Sequence, residues 1–166
     1  LAAFLRALHV PAPAAAPRNA DRATPLTSRA AAIAERMQRL ARTTDAVTDR
    51  IRQAWREGLE APSDTPSTWI HGDLHARNVL TLDGTITGVI DWGDMTSGDP
   101  AIDLACLWML LPDEAARDAA MRAYGSNDAA LWLRARGWAV LFGIMLLDTG
   151  LAGNVRNAAM GEQILR

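Results

Sequence analysis

The chain has 166 residues, 49% of them hydrophobic and 22% charged, with 17 basic against 19 acidic side chains and one cysteine. That is enough for one domain, since a compact chain of this size buries roughly 70% of the surface it exposes when unfolded. The composition excludes a disordered chain, the net charge of −2 excludes a nucleic-acid binder working by charge alone, and the lone Cys106 excludes an internal disulfide or a cysteine-only metal cluster.

Leu1 to Val10 reads as a short helix, so the chain looks like a piece of something longer. Pro11 to Pro25 holds four prolines among alanines and reads as a linker or surface loop. Ile33, Met37, Leu40, Val47, Ile51 and Ala54 then recur at helical spacing. The run is long for one globular helix, so a break is expected near Thr43–Thr44, with Gly58 and Pro62 as stop signals. Thr68 to Ile70 is a short β-like stretch. Asn78–Leu82 and Thr85–Asp91 are β-rich, and Asp83-Gly84 between them is a strong hairpin turn signal. Asp99-Pro100 opens a helix as N-cap and first helical residue, running to Pro112. Further helices are expected over Asp113–Tyr124, Asp128–Leu147 and Asn154–Leu165. The longest apolar stretch, Gly137 to Leu147, is too short to span a bilayer, and no secretory signal is evident. A cytoplasmic protein with no membrane or nucleic-acid partner is expected.

The chemistry concentrates in His71-Gly-Asp-Leu-His-Ala-Arg-Asn78 and in Val89-Ile-Asp91. A two-residue turn at Asp83-Gly84 sets Leu82 opposite Thr85 and, with regular pairing, Asn78 opposite Val89. Asn78 and Asp91 then become diagonal neighbours on one face, roughly 7–8 Å apart at the backbone. An amide oxygen and a carboxylate so placed suit a hard cation such as Mg²⁺. Asp73, in the loop entering the hairpin, is placed to accept a proton from a hydroxyl, as phosphoryl transfer requires. His71 and His75 have no third ligand at zinc spacing. Gly93 to Gly98 has the glycine spacing of a P-loop, but Asp99 follows where lysine belongs, so it reads as a plain loop.

His71-Gly-Asp73 with Asn78, then Ile90-Asp91-Trp92, then Gly98-Asp-Pro-Ala-Ile-Asp103-Leu-Ala105, together resemble the aminoglycoside phosphotransferase family. The resemblance implies a protein-kinase-like fold with ATP and Mg²⁺ as cofactors, Asp73 as catalytic base, and Asn78 and Asp91 as the ligands of the metal. It also implies that Asp103 braces the catalytic loop through His71 or backbone amides. His71 and Asp99 are expected to brace rather than react. Asp94 either faces the substrate or is a solvated turn residue.

The fold expected is therefore α+β and mostly helical: the C-terminal lobe of a kinase-like fold, with a small hairpin carrying the catalytic and metal residues. Residues 1–26 form a lead helix and loop, 27–60 a helical segment, 68–98 the catalytic loop and hairpin, and 99–166 a helical substrate-side region. The family's N-terminal nucleotide lobe, with its phosphate-holding lysine, is absent from this sequence, which has no lysine. The expected function is transfer of the γ-phosphate of ATP to a hydroxyl of a small molecule, foremost an aminoglycoside-type antibiotic. A metabolic kinase of choline, homoserine or macrolide type is the alternative. A non-catalytic binding module retaining the substrate lobe is the reading from a different class.

Overall fold

A computed structural model describes residues 1–166. It is a mixed α/β molecule in which helix predominates. α1 (Ala2–Leu8) leads into the proline-rich segment. A 3₁₀ turn (Leu26–Arg29) precedes α2 (Ala30–Leu40), and α3 (Asp49–Glu60) follows. α2 and α3 are separated where the sequence suggests. Thr43 and Thr44 both return their N–H groups to the Leu40 carbonyl, closing α2. Thr48 caps α3, its hydroxyl accepting from Ile51 N–H. Ile33, Met37, Leu40, Val47, Ile51 and Ala54 are all buried, so the apolar periodicity marks the core face of both helices.

Gly58 does not end α3. It lies inside the helix, where a Cβ would come within 2.8 Å of the Gly137 Cα. Two helix backbones cross there at a distance that only paired glycines allow.

The four strands are β1 (Thr68–Ile70), β2 (Val79–Leu82), β3 (Thr85–Val89) and β4 (Thr96–Gly98). β2 and β3 form an antiparallel hairpin through Asp83 (φ 49°) and Gly84 (φ 74°), the two left-handed residues of a tight turn. β4 lies in the segment expected to be a plain loop. It pairs antiparallel with β1, Ile70 opposite Thr96 and Thr68 opposite Gly98. Three residues give too short an alternation to be read as a strand, and the partner is distant in sequence.

The helix expected from Asp99 to Pro112 is two, α4 (Ala101–Leu104) and α5 (Cys106–Leu110). Trp108 N–H reaches the Ala105 carbonyl, an i→i+3 bond that tightens the chain between them. α6 (Glu114–Tyr124), α7 (Ala129–Leu151) and α8 (Val155–Ile164) begin at Asp113, Asp128 and Asn154, whose side chains accept backbone N–H bonds as caps. Gly125, at φ 82°, closes α6.

α7 is the centre of the molecule and packs against α8, α3, α4 and α2. It is a turn longer than expected at its C-terminus. Its 23 residues, with mean hydropathy 1.5 over the most apolar 18-residue window, are long and apolar enough to cross a bilayer by length and composition. The apolar stretch noted in the sequence, Gly137 to Leu147, is the middle of this longer helix. Its apolar surface is used inside the protein, where 61% of that window is buried.

Candidate active site

β1 delivers the chain into the interior. Ile70 and His71 are fully buried, and the loop from His71 to Asn78 returns to the start of β2. Asp103, in the short helix α4, fixes the entry to this loop. Its Oδ2 accepts from His71 N–H at 2.7 Å and its Oδ1 from Gly72 N–H at 2.8 Å. A buried carboxylate holding two backbone amides is a charge-assisted brace. The third partner of Asp103 is His9, just after α1, whose Nε2 is 3.2 Å from Oδ2. The other ring nitrogen of His9 meets the Tyr124 hydroxyl at 2.9 Å. Burial first, then the Asp103 and Asp99 charges, push the Tyr124 phenol above its ordinary value, so it stays protonated and donates.

The His71 ring completes the frame. Its Nδ1 accepts from Asp73 N–H at 3.3 Å, which leaves Nε2 to donate to the Ile90 carbonyl at 3.0 Å. One neutral imidazole thereby ties the loop to the residue before Asp91, and both of its nitrogens are occupied.

Asp73 is half-buried. Its Oδ1 accepts from Arg22 Nη2 at 2.9 Å, while Oδ2 has only longer approaches, 3.4 Å each, from Asn78 Nδ2 and His75 Nε2. His75 Nδ1 accepts from Arg77 N–H, so its proton sits on Nε2, facing the carboxylate. The His75 hydrogen bond foremost, then the charge of Arg22, hold the Asp73 carboxyl below its usual value against the opposing effect of burial.

Asn78 is buried and its amide nitrogen donates to the Asp73 carbonyl at 2.8 Å, leaving its Oδ1 without a hydrogen bond in the protein. Asp91 follows β3 in the left-handed region, φ 64° and ψ 62°, exposed and with neither a hydrogen bond nor an ion pair. A non-glycine residue held there stores local strain and turns the chain sharply out of the strand.

The register between these two residues differs from the regular one. Leu82 pairs with Thr85 and Thr81 with Ile86, but a bulge then pairs Leu80 with Gly88 and Val79 with Val89. Asn78 therefore lies opposite Ile90, whose N–H donates to its carbonyl at 3.0 Å, rather than opposite Val89. A one-residue slip changes which face each side chain occupies, so the diagonal Asn78–Asp91 pairing on one strand face does not form. Both residues flank the open end of the hairpin, outside the strands. Nowhere in the molecule do three or more His, Cys, Asp or Glu side chains gather as a metal-binding group.

Asp94 is partnered, not free. Its Oδ2 accepts from Arg22 Nε at 2.9 Å and its Oδ1 from Asn19 Nδ2 at 3.1 Å. Asp99 caps α4 by accepting from Ala101 N–H at 3.0 Å, and it also holds the buried Arg134 at 2.7 Å. Sequence reasoning missed Arg22 and Arg134. The proline-rich segment carrying Arg22 is docked against the β1–β4 pair, with Ala12 N–H on the Ser67 carbonyl and Ser97 N–H on Pro17. The Arg22 guanidinium bridges Asp73 and Asp94, beside a cavity of about 300 Å³ floored by Ile33, Trp138 and Leu141. The signal available for Arg134 is a charge within the apolar run of α7.

The sequence matches the profile of the phosphotransferase enzyme family over residues 1–138. The chain belongs to that family. It is 45% identical over 53 residues to a viomycin phosphotransferase of Streptomyces vinaceus, covering 30% of this chain and 18% of that protein. Over 93 residues it is 38% identical to a homoserine kinase of Methylobacterium nodulans, 54% of this chain and 27% of the relative. Over 70 residues it is 34% identical to a hygromycin-B 4-O-kinase of Escherichia coli, 41% of this chain and 20% of the relative. Among solved structures, a macrolide 2'-phosphotransferase type I aligns with 99% of this chain and 56% of its own, at 26% identity and TM-score 0.51. An aminoglycoside phosphotransferase, APH(4)-Ia, in a ternary complex with AMP-PNP and hygromycin B, aligns with 84% of this chain and 50% of its own, at 26% identity and TM-score 0.51. The chain thus spans about half the length of these structures and about a quarter or less of the curated relatives.

Proposed function

We propose that this chain is the catalytic-loop and acceptor-side lobe of a kinase-like enzyme that transfers the γ-phosphate of ATP to a hydroxyl group of a small molecule. The observation that carries this reading is the Asp73 carboxylate. It is ionised, partly exposed and held in a loop braced by Asp103, and two hard oxygen donors flanking the open end of the hairpin, Asn78 Oδ1 and the Asp91 carboxylate, have no protein partner.

Asp73 is the proton acceptor. Its Oδ1 is engaged by Arg22, so Oδ2, with only long contacts, is the oxygen a substrate hydroxyl reaches. Arg22 keeps the carboxylate charged and fixed in rotation, and His71 and Asp103 fix the backbone from which it projects. Asn78 orients Asp73 through its carbonyl and leaves its own Oδ1 without a protein partner. Asn78 Oδ1 and the Asp91 carboxylate would hold a Mg²⁺ ion, since hard cations take amide and carboxylate oxygens and neither residue's oxygen has a competing protein partner. When bound, it would neutralise the charge of the polyphosphate.

Aminoglycoside-type antibiotics are the first acceptor class to test, given the viomycin and hygromycin-B relatives. A metabolic alcohol is favoured by a specific observation: Arg22 already supplies a cation to Asp73 and Asp94, so these carboxylates need none from the acceptor. In the full-length enzyme, Asp73→Asn is expected to cut turnover by about 10²–10⁴ with the fold intact, because general-base help is worth that much. Asp91→Ala is expected to raise the Mg²⁺ concentration needed for half-maximal rate, and Asn78→Ala to raise it less. Turnover of Asp73→Asn within tenfold of wild type, with chemistry rate-limiting, removes the base from the mechanism.

A further inference from the structure

A second cavity, of about 340 Å³, lies on the other side of α7 from the candidate active site. Arg136, Ala139 and Val140 face it, whereas Trp138, Leu141 and Met145 face the cavity beside Arg22 and Asp94. At 100° per residue these are opposite sides of one helix.

Four arginines meet at this second cavity: Arg50 from the first turn of α3, Arg117 from α6, Arg136 from α7 and Arg166 beyond α8. Glu114 is the one carboxylate among the lining residues. None of the four guanidiniums has an ion-pair partner, whereas Arg22, Arg29, Arg36, Arg39 and Arg134 each hold an aspartate. Arg117 spends Nη1 on the Leu111 and Pro112 carbonyls, which fixes its head group. Arg136 is half-buried. Burial first, then the charge of Arg50, pull its guanidinium below its ordinary value; Arg117 adds to the effect, and Glu57 and Glu114 oppose it. Like charges are thus held together around a concavity with only Glu57 and Glu114 set against them and no ion pair formed, and an anion between them removes that repulsion. Part of the wall is apolar, with Trp108 and Val140 beside the guanidiniums.

We propose that this cavity is a binding site for a small organic phosphate, its phosphoryl oxygens on Arg50, Arg117 and Arg136 and its carbon body against Trp108 and Val140. Guanidinium forks match oxyanions in a planar, bidentate way. A carboxylate has oxygens for one fork, whereas a phosphoryl group has three oxygens for several, which is why the phosphate is favoured. The site is separate from the Asp73 loop and does not depend on phosphotransfer.

Calorimetric titration of the protein with phenyl phosphate tests this, with pyrophosphate and citrate as comparators. Saturable one-to-one binding of phenyl phosphate is expected, tighter than citrate, with affinity falling about tenfold or more in Arg136→Gln and in Arg50→Gln. Arg50 is exposed, so its variant reports on the site even if Arg136→Gln perturbs packing. Pyrophosphate binding more weakly than phenyl phosphate supports the apolar wall as part of the site. Asp73→Asn is expected to bind phenyl phosphate as wild type does. Absence of saturable binding at millimolar phenyl phosphate, affinity unchanged from wild type in both arginine variants, citrate binding at least as tightly, or binding lost in Asp73→Asn each overturns the proposal.

Discussion

The loop from His71 to Asn78 and the helix α7 are built into the same core, but different forces hold them. α7 is held by apolar packing, with Leu131, Ala135, Trp138, Leu141, Ile144 and Leu147 all buried. The loop is held by a few directional bonds, and one carboxylate fixes its entry: Asp103 takes the amides of His71 and Gly72, and the ring of His9 as well. Packing energy is spread over many contacts and tolerates small displacements. A hydrogen-bonded brace sets position tightly and fails when a single group is removed. That suits a loop whose task is to place one oxygen of Asp73.

The largest expected effect breaks this contrast directly. Asp103→Ala leaves two buried N–H groups and the His9 ring without their acceptor, and each orphaned donor costs about 1–3 kcal/mol. Both stability and phosphotransfer should collapse, with turnover down at least about a hundredfold, since small misplacements of reacting groups cost that much. Ile144→Ala, at a fully buried position of α7, should lower stability by about 2–5 kcal/mol and leave turnover per folded molecule near wild type. Denaturation curves paired with initial rates of the two variants separate the cases. If Asp103→Ala loses stability but keeps its rate, the brace does not position the loop.

The same contrast explains what could be read from the sequence. The helical side was legible because its signals are local. Asp113, Asp128 and Asn154 announce three helix starts, Gly125 an end, and the stripe from Ile33 to Ala54 a core face. The Asp83-Gly84 turn is local too. The pairing beyond it was not legible, because the bulge between Leu80 and Thr81 shifts the register by one residue. Gly88, a glycine inside a strand, is the one sequence hint of such a bulge. The candidate site gave up its residue types through its motif but not its partners. Arg22 lies 51 residues from Asp73 and 72 from Asp94, and nothing in the proline-rich segment marks it out from Arg18. Gly58 had a local reading, a helix stop, that was wrong because its role is a crossing with Gly137.

A smaller effect sharpens the packing side. At Gly58 an added Cβ meets the backbone of α7, which cannot rotate away as a side chain can. Gly58→Ala should therefore destabilise by about 1–3 kcal/mol, the usual cost of overpacking, although alanine is the better helix former. A melting temperature at or above wild type would mean that α3 moves off α7 at no cost.

The smallest effect concerns Arg22, where the two kinds of region meet: a segment that reads as surface loop sends one guanidinium onto the proposed base. The folded Asp73 carboxyl is more acidic than in the unfolded chain. Such a group adds stability above its unfolded value, around pH 3.9, and loses it as pH falls through the lower, folded value. In Arg22→Gln the folded value rises part of the way back, since His75, the largest cause, remains. Wild type should thus exceed Arg22→Gln in stability at pH 7, and the gap should close once the pH falls below both values. Both partners are about a quarter exposed, so solvent screens the pair and the gap should be under about 1 kcal/mol. Turnover should report the same change more sensitively. If the acidic limb of the pH–rate profile is the ionisation of Asp73, it should move to higher pH in Arg22→Gln, because the base is then protonated sooner. A profile that does not move, together with a stability gap that persists at low pH, would show that Arg22 acts on the docking of its own segment and not on the Asp73 charge.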